Sequence, residues 1–98
     1  MVHVLIHHKV ADFGRWKTAF DEHLNTRKSA GETGYRLFQS VEDPRDVTLL
    51  LDWGTVEEAR RFMTSDELRG TMQNAGVQGT PDIKFVLDAS LVHRSAAD

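Results

Sequence analysis

Five histidines carry most of the acid–base chemistry this chain offers. His3, His7 and His8 lie in an opening run, Val-His-Val-Leu-Ile-His-His-Lys-Val, rich in β-branched residues and read as a strand. On a strand His3 and His7 share a face, but four residues at ~3.3 Å each separate them by about 13 Å. A zinc ion holds its ligands at ~2 Å, so one strand cannot supply both, and no metal is expected. His7 and His8 point to opposite faces. His3, His23 and His93 read as ordinary polar positions. His8 differs because it shares its face with Val4, Ile6 and Val10. An imidazole in apolar company titrates near working pH and can act as a general base or orient a ligand. The same placement also describes a hydrogen-bonded core histidine.

Aromatic residues come next. Trp16, Phe20, Trp53 and Phe62, with Phe38 and Phe85, could line a pocket for a flat ligand or form plain core. Arg27 and Arg36 could meet an anionic group near the exit of the first helix. Glu57-Glu58 and Asp66-Glu67 sit at helix starts, where they complement the dipole. The run Gly76-Val77-Gln78-Gly79-Thr80-Pro81 connects helix to strand, the reverse of a phosphate loop. There is no cysteine, which excludes disulfides, thiolate catalysis and iron–sulfur ligation.

These residues must be positioned by a small frame. At 98 residues there is room for one domain, expected over residues 1–90, with a polar tail over 91–98 that frays. Such a chain buries only roughly 60–65% of its unfolded surface. Net charge is −3 with no basic run, so no nucleic-acid partner is expected. The first strand is too short and too polar for a signal core or membrane span, and the cytoplasm is the default location.

Asp12 is placed to cap a helix whose stripe is Phe13, Trp16, Phe20 and Leu24, ending near Gly31. Tyr35 to Val41 and Val47 to Trp53 read as a hairpin around Pro44. Thr55-Val56-Glu57-Glu58 is a capping-box pattern, and Ser65-Asp66 caps a further helix. Gly76 to Pro81 reads as a loop and Asp82 to Asp88 as a fourth strand. The order β-α-β-β-α-β is ferredoxin-like, an α+β fold. Right-handed crossovers put both helical regions on one face of an antiparallel sheet of spatial order 4-1-3-2. The other face still carries Leu5, Leu50 and Val86, so a second copy of the chain is the expected cover.

One resemblance spans residues 2 to about 88. His8-Lys9-Val10-Ala11-Asp12-Phe13, Trp16, Phe20-Asp21-Glu22, Arg27 and Asp43-Pro44-Arg45-Asp46-Val47 carry its first half. Glu58-Ala59-Arg60-Arg61-Phe62, Ser65-Asp66-Glu67-Leu68, Met72 and Ala75-Gly76-Val77 carry the second. Together they resemble the small dimeric α/β-barrel proteins related to antibiotic biosynthesis monooxygenases. That resemblance implies paired ferredoxin-like subunits, sheets face to face, with a cavity between each sheet and its helices. Relatives in the group include cofactor-independent oxygenases of aromatic polyketides, haem-degrading enzymes and proteins without demonstrated activity. The haem branch uses an Asn on the first strand; here Asn25 and Asn74 fall in helical segments, which argues against haem. No cofactor is expected. Two functions stay open: a monooxygenase-like enzyme acting on a phenol, with His8 as base and Arg27 or Arg36 steadying the phenolate, or a non-catalytic ligand-binding or stress-response dimer. Trp16, Phe20, Trp53 and Phe62 are the expected aromatic lining.

Overall fold

The computed structural model describes residues 2–89. The expected 91–98 tail and His93 lie outside the described residues. Strand β1 (Val2–Val10) leads into helices α1 (Phe13–Glu22) and α2 (Leu24–Ala30), then strands β2 (Glu32–Gln39) and β3 (Asp46–Trp53). Helices α3 (Val56–Met63) and α4 (Asp66–Asn74) precede the closing strand β4 (Val77–Leu87). All three strand pairings are antiparallel, in the order β2-β3-β1-β4. This is the expected ferredoxin-like arrangement.

Helix starts follow the capping residues in the sequence. The Asp12 carboxylate accepts from the Arg15 amide at 2.8 Å, and the Ser65 hydroxyl accepts from Leu68 at 3.2 Å. Thr55 and Glu58 close the capping box on α3. The first helical region differs from expectation, because it breaks at His23. The His23 amide donates to both Ala19 and Phe20 carbonyls, a tightened last turn, and α2 restarts from the His23 carbonyl. Gly31 ends α2 with φ +125°, a backbone that favours glycine.

The core lies between the sheet and the helices. Val4, Ile6, Val10, Val47, Leu49, Leu51 and Trp53 come from the sheet; Trp16, Ala59, Phe62 and Leu68 come from the helices. Alternation places His3, Leu5, His7 and Lys9 on the opposite, open face. There Leu5 pairs with Leu50, and two cross-strand contacts join His3 to Asp52 and His7 to Asp46. Phe38, 42% exposed, belongs to this open face as well.

Two bulges correct the strand readings. In β2 the register shifts between Glu32 and Gly34, with Glu32 opposite Trp53 and Gly34 opposite Asp52. Thr33 is the extra residue, and its exclusion turns Glu32 toward the helices. β2 therefore starts three residues earlier than Tyr35 and ends before Val41. In β4 the pairing passes from His7↔Asp82 to Lys9↔Gln78, so Gly79, Thr80 and Pro81 stand opposite His8 alone. The segment read as a loop is thus part of an 11-residue strand. Its glycine, at φ +69°, and its proline mark a bulge rather than a break.

Candidate functional site

A cavity of about 60 Å³ lies between the sheet and the helices. Its walls are mostly apolar: Ile6, Leu49 and Leu51 from the sheet, Trp16 and Phe20 from α1, Phe62 and Met63 from α3, Leu68 and Met72 from α4. Four polar side chains reach it, His8, His23, Arg27 and Thr71, of which the first three carry nitrogen. Each of those three has a buried nitrogen that finds no hydrogen-bond partner among the described residues: His8 Nδ1, His23 Nε2 and Arg27 Nη2.

His8 enters from β1, opposite the β4 bulge, and is 6% exposed. Its ring meets Trp16 edge-on, with centroids 5.6 Å apart. Burial holds the imidazole pKa below its ordinary value of 6.5, and repulsion from His7 adds to that. A backbone hydrogen bond and the Asp46 charge work in the other direction without overcoming it. His8 is therefore mainly neutral near pH 7, with a lone pair free to take a proton.

Arg27 enters from α2 and is 2% exposed. Its Nε donates to Glu32 Oε1 at 2.8 Å, and its Nη1 donates to the Phe20 carbonyl. The guanidinium carbon lies over the Phe20 ring, 3.6 Å from its centroid. Phe20 in turn stacks on Trp16 at 5.2 Å. Glu32 is buried too, and burial pushes its carboxyl pKa up while Arg27 pulls it down. His23 occupies the break between α1 and α2, with Nε2 3.5 Å from Glu67 Oε1, within ion-pair distance but without a hydrogen bond.

The residues singled out in the sequence divide cleanly. His8, Trp16, Phe20, Arg27 and Phe62 come together around the cavity. Trp53 does not line it; fully buried behind Phe62, it supplies the floor of the core. Arg36 is on the other side of the sheet, because it pairs with Leu50 and lies over Phe38 at 5.2 Å on the open face. Phe85 packs under Arg60, away from the cavity. Two participants were not singled out. His23 reads from the sequence as an ordinary polar position, and Glu32 carries no signal there. Among the described residues no three His, Asp or Glu side chains converge as metal ligands do. No helix there is long and apolar enough to cross a membrane.

The fold has counterparts among solved structures. The chain is similar to a candidate antibiotic biosynthesis monooxygenase from Bordetella bronchiseptica, with TM-score 0.76, 18% identity, and coverage of 90% of this chain and 96% of that one. It is similar to SnoaB, a cofactor-independent oxygenase from Streptomyces nogalater, with TM-score 0.72, 11% identity, and coverage of 90% and 92%. It is also similar to Rv0793 from Mycobacterium tuberculosis, with TM-score 0.65, 11% identity, and coverage of 89% and 93%. No protein-family model matches the chain, and no curated protein matches it. The chain therefore has the fold of the antibiotic biosynthesis monooxygenase proteins, over nearly their full length. At these identities the likeness is one of fold.

Proposed function

We propose that the chain works as a homodimer whose cavity binds a small aromatic or phenolic molecule and oxygenates it without a resident cofactor. The observation that carries this reading is His8: a buried, mainly neutral imidazole with an unpartnered nitrogen, set against Trp16 in an apolar cavity. The description of SnoaB as a cofactor-independent oxygenase lends support from a protein of the same fold.

In this reaction His8 accepts the phenolic proton. Where further ring hydroxyls enrich it, as in a quinol, the phenolate passes an electron to dioxygen directly, and the apolar walls keep water from the intermediates. One oxygen atom enters the ring as a quinone carbonyl and the other leaves as water. The substrate loses its hydroxyl hydrogen and one ring hydrogen, so phenol plus O₂ balances to quinone plus water with no outside reductant. Arg36 has no part in this, since it faces away from the cavity. The test is oxygen uptake by the pure protein across a panel of phenols and quinols, with product identified by mass. Turnover that disappears in His8→Ala, with self-association intact, supports the reading; no uptake with any phenol that binds would sink it.

A second reading has its own observation. His8 Nδ1 meets no carboxylate that would orient the ring or pass a proton on, as catalytic imidazoles usually have. A binding dimer that uses the cavity without chemistry needs no such partner. Binding without oxygen uptake would favour it.

The dimer rests on the open sheet face. Leu5 and Leu50 are only half-buried there, and Phe38 adds an exposed ring. A second copy laid sheet to sheet would cover all three.

A further inference from the structure

Arg27 and His23 stand one helical turn apart, because the Arg27 amide donates to the His23 carbonyl at 3.1 Å. Side chains at that spacing share a face, and both reach the cavity. Arg27 Nε and Nη1 are engaged, while Nη2 is buried and donates to nothing among the described residues. A guanidinium N–H in dry surroundings selects a hydrogen-bond acceptor, and an anionic oxygen is the strongest available. Burial raises the Glu32 carboxyl pKa against the pull of Arg27.

His8 belongs to the other end. It touches Trp16, whereas Arg27 lies on Phe20, and the two rings stack at 5.2 Å. Across β3, His8 pairs with Val47 and Glu32 pairs with Trp53. The ring contacts of 5.6 Å and 5.2 Å and the 3.6 Å from the Phe20 ring to the guanidinium carbon bound the distance between the two ends. An occupant that satisfies both ends therefore carries two polar groups with an apolar ring between them. Size sets the upper limit. A cavity of about 150 Å³ admits benzene, and this one holds about 60 Å³. One ring already requires the flexible Met63 and Met72 side chains to give way.

The geometry points to a single-ring hydroxylated aromatic acid as the ligand, its carboxylate held by Arg27 Nη2 and its ring hydroxyl presented to His8. This rests on the reading of the cavity as a site for a small aromatic, and makes Arg27 its specificity anchor. The experiment is calorimetric titration of the full chain with phenol, 4-hydroxybenzamide and 4-hydroxybenzoate, under conditions where no turnover is read. The acid is expected to bind at least tenfold tighter than the other two. Arg27→Lys, which keeps the charge and loses Nη2, is expected to erase that preference while phenol still binds. Should Arg27→Lys fail to fold, Arg27→Met/Glu32→Met removes the buried pair together and carries the same expectation. Equal affinity for acid and amide, or a preference that survives either variant, overturns the anchor alone. Failure of all three rings to bind overturns the anchor and the aromatic site together.

Discussion

Arg27 and Glu32 meet at 2.8 Å with both side chains almost sealed from water, five residues apart across the end of α2. The pair joins the helix layer to the sheet layer at one end of the cavity. Desolvating two charges costs several kcal/mol each, which the pairing and the Phe20 carbonyl offset. Removing one partner is therefore different from removing both. Arg27→Met is expected to lower stability by about 3–5 kcal/mol. Arg27→Met/Glu32→Met should recover most of that loss. Urea unfolding of the three proteins checks it, and equal stabilities of the single and double variants would contradict it.

His8 links the cavity to pH. Its folded pKa lies below 6.5, so as pH falls through 6.5 the unfolded chain takes up a proton before the folded chain does. The contribution is fully present above pH 6.5 and declines toward the lowered folded value. Replacing His8 with Gln should flatten the stability profile between pH 7 and pH 5 relative to the parent. Denaturation midpoints across that range report it; parallel profiles would refute the depressed pKa.

Gly31 is held by two constraints at once. Its φ is +125°, and a Cβ built there would stand 2.8 Å from the Glu58 carboxyl carbon. Glu58 can swing away, but the backbone cannot accommodate an L side chain without strain. Gly31→Ala should cost about 1–2 kcal/mol. Adding Glu58→Ala relieves the contact and leaves the backbone cost, so a melt of the double variant should remain below that of Glu58→Ala alone.

The cavity is small enough to fill. Ala19 lines it from α1, and a side chain two methyl groups larger takes up much of about 60 Å³. Ala19→Val should abolish aromatic binding in calorimetry while changing the melting temperature by only a few degrees. Undiminished binding would place the ligand elsewhere.

The open face carries a separate test. Leu5 and Leu50 are direct cross-strand partners there. Leu50→Lys puts a charge at the centre of the proposed sheet-to-sheet contact, where burial without a partner costs several kcal/mol. Light scattering should show a dimer for the parent and a monomer for the variant. A monomeric parent would end the dimer proposal.

The strand and helix order was legible because short capping signals and alternating apolar residues agree with each other. Asp12, Thr55 and Ser65 each cap the helix they announce. What escaped was set by tertiary context. Arg36 looks as eligible as Arg27 in the sequence, and only the pairing of Arg36 with Leu50 sends it to the open face. His23 looks like a helix-surface residue because the stripe continues smoothly to Leu24; the break beneath it has no glycine or proline to announce it. Glu32 was invisible for a stricter reason. Period-two counting back from Tyr35 gives the inward place to Thr33, and the bulge hands that place to Glu32 instead.

That bulge makes chain length, not side-chain identity, the determinant of what faces Arg27. A regular pairing would turn threonine inward at the start of β2, and the bulged pairing turns glutamate inward instead. Thr33 lies outside the ladder, so deleting it leaves Glu32 opposite Trp53 in an uninterrupted pairing. Inserting a residue in the same place instead lengthens the detour and loosens the choice. A slip of one position there would exchange the carboxylate beside Arg27 for a hydroxyl without a single substitution.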